Sequence, residues 1–256
     1  MLKIFRRKDD VGLTIDEMKQ HEWVVGWSGG KDSTATIILM HEHNIPIKEI
    51  IYVRMMYDDN LPATLPVMTD FVDSAKEVFE SWGYKVKIVP SIKTLIQMAS
   101  RTYKRSKHIF RNGKPYGITS LSRGMCNMSD VKQRTIRAYS QPDEYHMIGY
   151  ASDESQRIHR LNDTHQSIMV TLGVKEKDTF DICRKYNLLS PLYDLEIKRD
   201  GCWFCPNAGE KERTMLKENH PELYQKIVDL IEMCDYELTS LTKSGRNNWL
   251  TDYMKK

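Results

Sequence analysis

Three features of the sequence predict an α/β fold with a doubly wound, mainly parallel sheet of Rossmann-like type. Apolar runs of strand length alternate with longer segments of helical apolar period. The intervals between runs are long enough for the crossovers that parallel strands require, and the first run ends in a glycine-rich turn that opens a helix. The chain has 256 residues, 40% hydrophobic and 29% charged, enough for one substantial core and a smaller addition. The expected division is an N-terminal helical segment over 1–20, a central domain over 21–206 and a C-terminal helical appendage over 207–256.

In chain order, Thr14-x-x-Glu17 is a capping box that opens a short helix. Glu22–Trp27 is a first strand, and the helix after it ends near Asn44-Ile45-Pro46. Ile50–Val53 is a second, β-branched run, whose end delivers Arg54, Tyr57, Asp58 and Asp59 to the edge where open α/β sheets bind ligands. Asp70–Trp82 reads as a helix with Phe71, Ala75, Val78 and Phe79 on one face, stopped by Gly83. Tyr84–Val89 is a third strand closed by Pro90, and Tyr145–Tyr150 a fourth. From Lys211 onward the chain is helical, with Leu216, Leu223, Ile227, Leu230 and Ile231 at core spacing, an appendage that offers a contact for a homodimer.

The turn after the first strand, Ser28-Gly29-Gly30-Lys31-Asp32-Ser33, carries the chemistry. Paired glycines let the backbone bend with N–H groups pointing inward, and the following helix brings its positive dipole end to the same place. A phosphate fits there. The spacing is neither the Walker P-loop nor the dinucleotide fingerprint.

Charge is unevenly distributed. The net charge is only +3, yet no Asp or Glu occurs from Ser81 to Ser129, a segment with Lys85, Lys87, Lys93, Arg101, Lys104, Arg105, Lys107, Arg111, Lys114 and Arg123. Within it, the insert at about 92–116 interleaves Tyr103 and Phe110 with the cations. Two readings stand side by side: a cover or tRNA-backbone contact with an aromatic stacking on a base, and a solvated basic face whose aromatics pack inward. No run of about 18 apolar residues exists, so no membrane span is expected. The N-terminus lacks the apolar core of a secretory signal. Five cysteines in such a chain point to a reducing, cytoplasmic compartment and to metal or catalytic thiols.

Cys202-Trp203-Phe204-Cys205 can bring two sulfurs onto one metal, or serve as a redox dithiol. Cys126 is a candidate third ligand and Cys183 a weak fourth; Cys183 and Cys234 lie in helical apolar patterns that suit a core.

Ser-Gly-Gly-Lys-Asp-Ser resembles the signature of the PP-loop ATP pyrophosphatases, the adenine nucleotide alpha-hydrolases, and its lysine form resembles the branch that includes phosphoadenosine phosphosulfate (PAPS) reductases. Gly149-Tyr150-Ala151-Ser152-Asp153-Glu154-Ser155-Gln156-Arg157 is similar to that family's G-x-R-x-x-E-S-x-x-R segment, with Ala151 where arginine is usual. Ser190-Pro191-Leu192-Tyr193-Asp194 and Arg199-Asp200-Gly201-Cys202-x-x-Cys205-Pro206 resemble its third block. The resemblance implies binding of ATP with Mg²⁺ by Ser28, Gly29, Gly30, Lys31, Asp32, Ser33, Arg54, Asp58, Gly149, Glu154 and Arg157. It makes Lys31, Asp32 and Arg157 the candidate catalytic residues, and Cys126, Cys202, Cys205 and Cys183 the candidate ligands of a [4Fe-4S] iron-sulfur cluster or zinc. The implied activity is adenylation with pyrophosphate release, for sulfur transfer to tRNA or a small-molecule carbonyl, with a sulfur-donor protein as partner. A PAPS/APS reductase is the alternative, but its E-C-G-[IL]-H tail is missing from Asn248–Lys256. A nucleotide- or nucleic-acid-binding module without turnover is the third reading.

Overall fold

The computed structural model describes residues 12–107, 109–121, 127–141, 143–197 and 202–234, with the backbone alone for 127–130. They divide into two units, each assembled from three stretches of chain. Unit 1 draws on Met1–Val53, Pro66–Val89 and Ile136–Asp200, and unit 2 on Arg54–Leu65, Pro90–Thr135 and Gly201–Lys256. This partition cuts across the contiguous one expected from sequence.

In unit 1 the capping box closes in both directions. Thr14 Oγ accepts the Glu17 N–H and the Glu17 carboxylate accepts the Thr14 N–H, which starts α1 (Ile15–Met18). β1 (Trp23–Trp27) is buried at every position except Gly26, as a central parallel strand covered on both faces must be. It pairs in parallel with β2 (Ile47–Arg54) on one side and β4 (Tyr145–Met147) on the other. β3 (Val86–Pro90) flanks β2, and β5 (His165–Gln166) runs parallel to β4, giving the order β3-β2-β1-β4-β5. The chain therefore leaves β1 toward β2 and returns across it to β4. Neighbouring strands whose connections diverge in this way open a crevice at their carboxyl ends.

α2 (Lys31–Glu42) follows β1 directly and α3 (Pro66–Ser81) precedes β3. Met68, Val72, Ala75 and Phe79 form the buried face of α3, and Phe79 meets Trp27 edge-on at 5.1 Å. The helix starts four residues earlier than its apolar face suggests, because Pro66 suits a first helical turn. α4 (Leu95–Ala99) and α5 (Asn127–Tyr139) come next in the chain, followed in unit 1 by α6 (Ser155–Ile158), α7 (Ile168–Leu172) and α8 (Asp178–Lys185). The fourth strand stops three residues short of the expected end. Ile148 N–H still bonds Gln166 across the ladder, but Tyr150 N–H turns back to Ile148.

Unit 2 contains α4, α9 (Glu210–Asn219) and α10 (Pro221–Glu232); α4 and α10 both pack on the 3₁₀ turn Gly117–Leu121. The C-terminal helices thus share a core with the middle of the chain. Tyr57, Trp203 and Phe204 form an aromatic cluster with centroids 4.9–6.1 Å apart. Trp203 also donates its backbone N–H to Ala63 and its indole N–H to Pro62. Burial, with the charges of Asp229 and Asp58, pushes the Tyr57 hydroxyl up to about 12. The unfolded chain would release that proton nearer 10, so the stability the neutral phenol contributes is complete below pH 10 and is lost as the pH rises toward 12. In a pH-jump series read by the 295 nm phenolate band, wild type is expected to lose stability across that window. Tyr57→Phe should flatten this slope, at a cost near neutrality of about 0.5–1.5 kcal/mol for the hydroxyl's bond to the Lys226 carbonyl.

None of the described helices is long and apolar enough to cross a membrane.

Candidate functional site

The glycine-rich turn sits where the crevice opens. Gly29 has φ +82°, a conformation that glycine adopts without penalty, and Gly30 caps α2 in an extended conformation open to any residue. The two serines hold the turn from inside. Ser33 Oγ accepts the Ser28 N–H at 3.1 Å, lies 2.9 Å from Ser28 Oγ and donates to the Gly30 carbonyl at 3.0 Å. Ser28 Oγ in turn accepts the Gly30 N–H at 3.3 Å, and the Lys31 N–H goes to the Tyr193 hydroxyl at 3.3 Å. Three of the loop N–H groups expected to point at a phosphate are therefore engaged within the protein, so an anion must compete for them or use their neighbours.

A cleft of about 250 Å³ opens beside this turn, lined by Gly26, Ser28, Gly30, Asp32, Ser33, Ile148, Gly149 and Arg157. Six of the expected site residues thus meet in one place. The volume lies below the ~300–1,000 Å³ of pockets that enclose a drug-sized ligand, and it suits the phosphate end of a nucleotide better than the whole molecule.

Gly149 lines the cleft and also sits against the start of α2. A Cβ built on it would lie 3.0 Å from the Asp32 carbonyl carbon and the Ser33 nitrogen. What its missing side chain admits is the first turn of α2, which packs against the loop after β4.

Lys31 is 8% exposed at its side chain and its ammonium donates to Asp32 Oδ1 at 2.7 Å and Glu176 Oε1 at 2.9 Å, 5.4 Å above the Phe180 ring. Burial alone would lower its pKa. The hydrogen bonds and charges of the two carboxylates outweigh that, and the lysine titrates above its ordinary value. Asp32 Oδ1 also accepts from Thr179 Oγ at 3.2 Å.

Arg157 is held from two sides: Glu154 Oε1 accepts from it at 2.7 Å, and its guanidinium lies 4.2 Å from the Tyr150 ring centroid. Burial would lower its pKa, but the Glu154 bond and charge raise it, so the fork stays cationic. Glu154, expected to orient substrate or Mg²⁺, has Oε1 on Arg157 and Oε2 on the Ala151 N–H at 3.1 Å; it positions the arginine. The Asp153 carboxylate accepts the Glu176 N–H at 3.0 Å. Glu176, Thr179 and the Tyr193 hydroxyl were not legible as partners of the turn, since they stand 145–162 residues from Lys31 or Asp32 in sequence.

Arg54 and Asp58 fall in unit 2. Asp58 Oδ1 accepts the N–H groups of Asn60 and Leu61 at 2.9 and 2.8 Å, an Asx turn that shapes its own loop.

The cysteines divide likewise. Cys183 is fully buried in α8 and its thiol lies 3.3 Å from the Lys31 carbonyl, a core position in unit 1. Cys202 and Cys205 are half-buried on a tight turn, closed by Cys205 N–H to the Cys202 carbonyl at 2.8 Å and anchored by Trp203 and Phe204. Cys126 lies outside the described residues, as do Arg199, Asp200 and Gly201 of the third block. Among the described residues no group of three or more His, Cys, Asp or Glu side chains could hold a metal ion. Of the four expected ligands, the described residues thus place two, Cys202 and Cys205, on one turn.

No family model matches the sequence, and neither does any curated protein sequence. Among solved structures, the chain is similar to the U34-tRNA thiolase NcsA from Methanococcus maripaludis with its [4Fe-4S] cluster, at a TM-score of 0.43 and 14% identity, over 87% of this chain and 78% of that one.

Proposed function

We propose that the chain is an ATP-dependent, AMP-forming adenylating enzyme that releases pyrophosphate and serves sulfur transfer to tRNA or a small-molecule carbonyl. The observation that carries the reading is the cleft at the β1/β4 switch point, where the N-terminus of α2 and the charged Arg157 line one phosphate-sized space. A helix of twelve residues ending there offers its dipole to an anion, and Arg157 offers a bidentate fork already oriented by Glu154 and Tyr150. Adenine as the base, and Mg²⁺ accompanying the triphosphate, come from the PP-loop resemblance.

In the proposed reaction a substrate oxygen attacks the α-phosphorus, the bond from that phosphorus to the bridging oxygen breaks, and pyrophosphate leaves with its Mg²⁺. Lys31 exchanges its carboxylate partners for the departing phosphate, where a fixed cation stabilises the developing charge. Asp32 and Glu176 keep the ammonium charged and near the turn until then. The sulfur of hydrosulfide then attacks the activated carbon, the bond from that carbon to the adenylate oxygen breaks, and AMP and a proton depart. The sulfur preference is supported by the Cys202/Cys205 turn, and no step is routed through a metal.

The test is AMP and pyrophosphate production from MgATP, with and without unfractionated tRNA and sulfide. Arg157→Ala is expected to lower kcat/KM by about 10–100-fold, the worth of a charge-assisted hydrogen bond. ATP binding without pyrophosphate would make the chain a binding module. Thioredoxin-dependent sulfite release from PAPS would make it a reductase.

A further inference from the structure

We propose that Arg101–Lys107 and Ile109–Lys114 of unit 2 form a docking surface for an unpaired stretch of RNA, with Phe110 as its stacking platform. The choice of RNA among polyanions rests on the proposed acceptor; the surface itself rests on the exposed cations and the aromatic tip of this loop.

The acid-free segment is not uniformly available to a partner. Lys85 and Lys87 belong to unit 1, where both pair with the buried Glu49 carboxylate, at 3.7 and 2.5 Å. Arg111 is 6% exposed and lies against Tyr103 and Phe110, 6.0 and 5.5 Å from their ring centroids. Tyr103 stacks on Tyr116 at 3.9 Å and 12°, and its hydroxyl meets Thr119 Oγ at 2.6 Å, so its ring is already covered. These groups satisfy the inward-packing reading of the segment.

Others do not. Arg101, Lys104, Arg105 and Lys107 are exposed, and no Asp or Glu occurs in the sequence from Arg101 to Lys114. Ile109 is 81% exposed and Phe110 51%, side by side at the tip. The loop is pinned by Tyr103 N–H to the Lys114 carbonyl, Gly113 N–H to the Tyr103 carbonyl, Tyr116 N–H to the Arg101 carbonyl and Ser106 N–H to Asn112 Oδ1. Cations and an aromatic face held on one small frame match a strand that presents phosphates at regular spacing and a splayed base between them. An A-form duplex keeps its bases stacked and has no use for the aromatic tip.

The experiment is fluorescence anisotropy of a labelled twelve-nucleotide single-stranded RNA, titrated with full-length protein at several salt concentrations, with ATP binding measured on the same samples. Four contacting cations predict a slope of log K against log salt near −3, at about −0.7 per phosphate. The triple variant Lys104→Gln/Arg105→Gln/Lys107→Gln should flatten that slope by about 2. Phe110→Ala should weaken binding by about 5–100-fold at unchanged slope, and Phe110→Trp should restore it. Lys87→Gln, which alters an ion-paired cation, should leave both quantities as in wild type. Thermal melts confirm that the variants fold.

Wild-type affinity in both Phe110→Ala and the triple variant overturns the proposal. So does equal affinity for duplex RNA, tighter binding to single-stranded DNA of the same sequence, or preference for phosphatidylserine vesicles or polyglutamate. RNA binding without ATP binding upholds this surface and overturns the adenylating function; ATP binding without RNA binding does the reverse.

Discussion

Lys31→Ala is expected to lower pyrophosphate release by about 10²–10³-fold, the loss typical of removing one donor from a transition state that gathers negative charge. The variant should remain folded. Asp32 and Glu176, which it deprives of a partner, are 30% and 58% exposed at their side chains, so water replaces the lost ammonium at little cost. A companion substitution separates the lysine's service to ATP from its resting contacts. Glu176→Gln removes one of two carboxylates that compete with phosphate for the ammonium; the Glu176 end of the pair is 58% exposed, which holds its worth to about 1 kcal/mol or less. ATP should therefore bind up to about fivefold tighter in Glu176→Gln, with kcat little changed. A fall in kcat with unchanged KM would instead mean that Glu176 holds the lysine in its working position and does not compete with phosphate for it. The pH profile offers no confusion, because the two carboxylates raise the Lys31 pKa and keep it fully charged across the neutral range.

The sheet was readable because its strands carry their own signal. β1, β2 and β3 are apolar runs bounded by Gly, Pro and charged residues, and α3 has its buried residues at helical spacing. β5 is two residues long, His165–Gln166, and no periodicity exists over two residues. Of the site, the loop and Arg157 were legible as local patterns, and they do line one cleft. Its supporting contacts were not, because each is a pairing across the fold: Glu176 on Lys31, Thr179 on Asp32, Asp153 on the Glu176 N–H. The basic segment was legible only in part for the same reason. Its charge is a property of the sequence, but the Glu49 carboxylate that neutralises Lys85 and Lys87 comes from a neighbouring strand. Unit 2 could not be read as a unit at all, being assembled from three separated stretches.

Gly149→Ala should damage the site through backbone geometry, without removing any functional group. Its Cβ would meet the Asp32 carbonyl carbon and Ser33 nitrogen at 3.0 Å and the Asp32 oxygen at 3.1 Å, and these are main-chain atoms of a helix's first turn that have no rotamer to change. Either the loop after β4 or the start of α2 must move, and both line the cleft. Overpacking of this kind costs about 1–3 kcal/mol, which at roughly 2–4 °C per kcal/mol lowers Tm by about 2–12 °C. ATP affinity should fall by about tenfold or more, because the distance between Arg157 and the α2 N-terminus changes with the shift. Gly29→Ala provides the contrast. There the nearest atom is the Met68 methyl, the end of a flexible side chain, and the remaining cost is the φ of +82°. Met68→Ala, itself a loss of buried packing, should therefore cost less in the Gly29→Ala background than in wild type, whereas no single side-chain truncation relieves Gly149→Ala. Chemical denaturation of Gly149→Ala, Gly29→Ala, Met68→Ala and the Gly29→Ala/Met68→Ala double variant, with ATP binding measured in parallel, decides the matter. Wild-type ATP affinity in Gly149→Ala would mean that the cleft tolerates displacement of its own wall and that its phosphate site is not preformed.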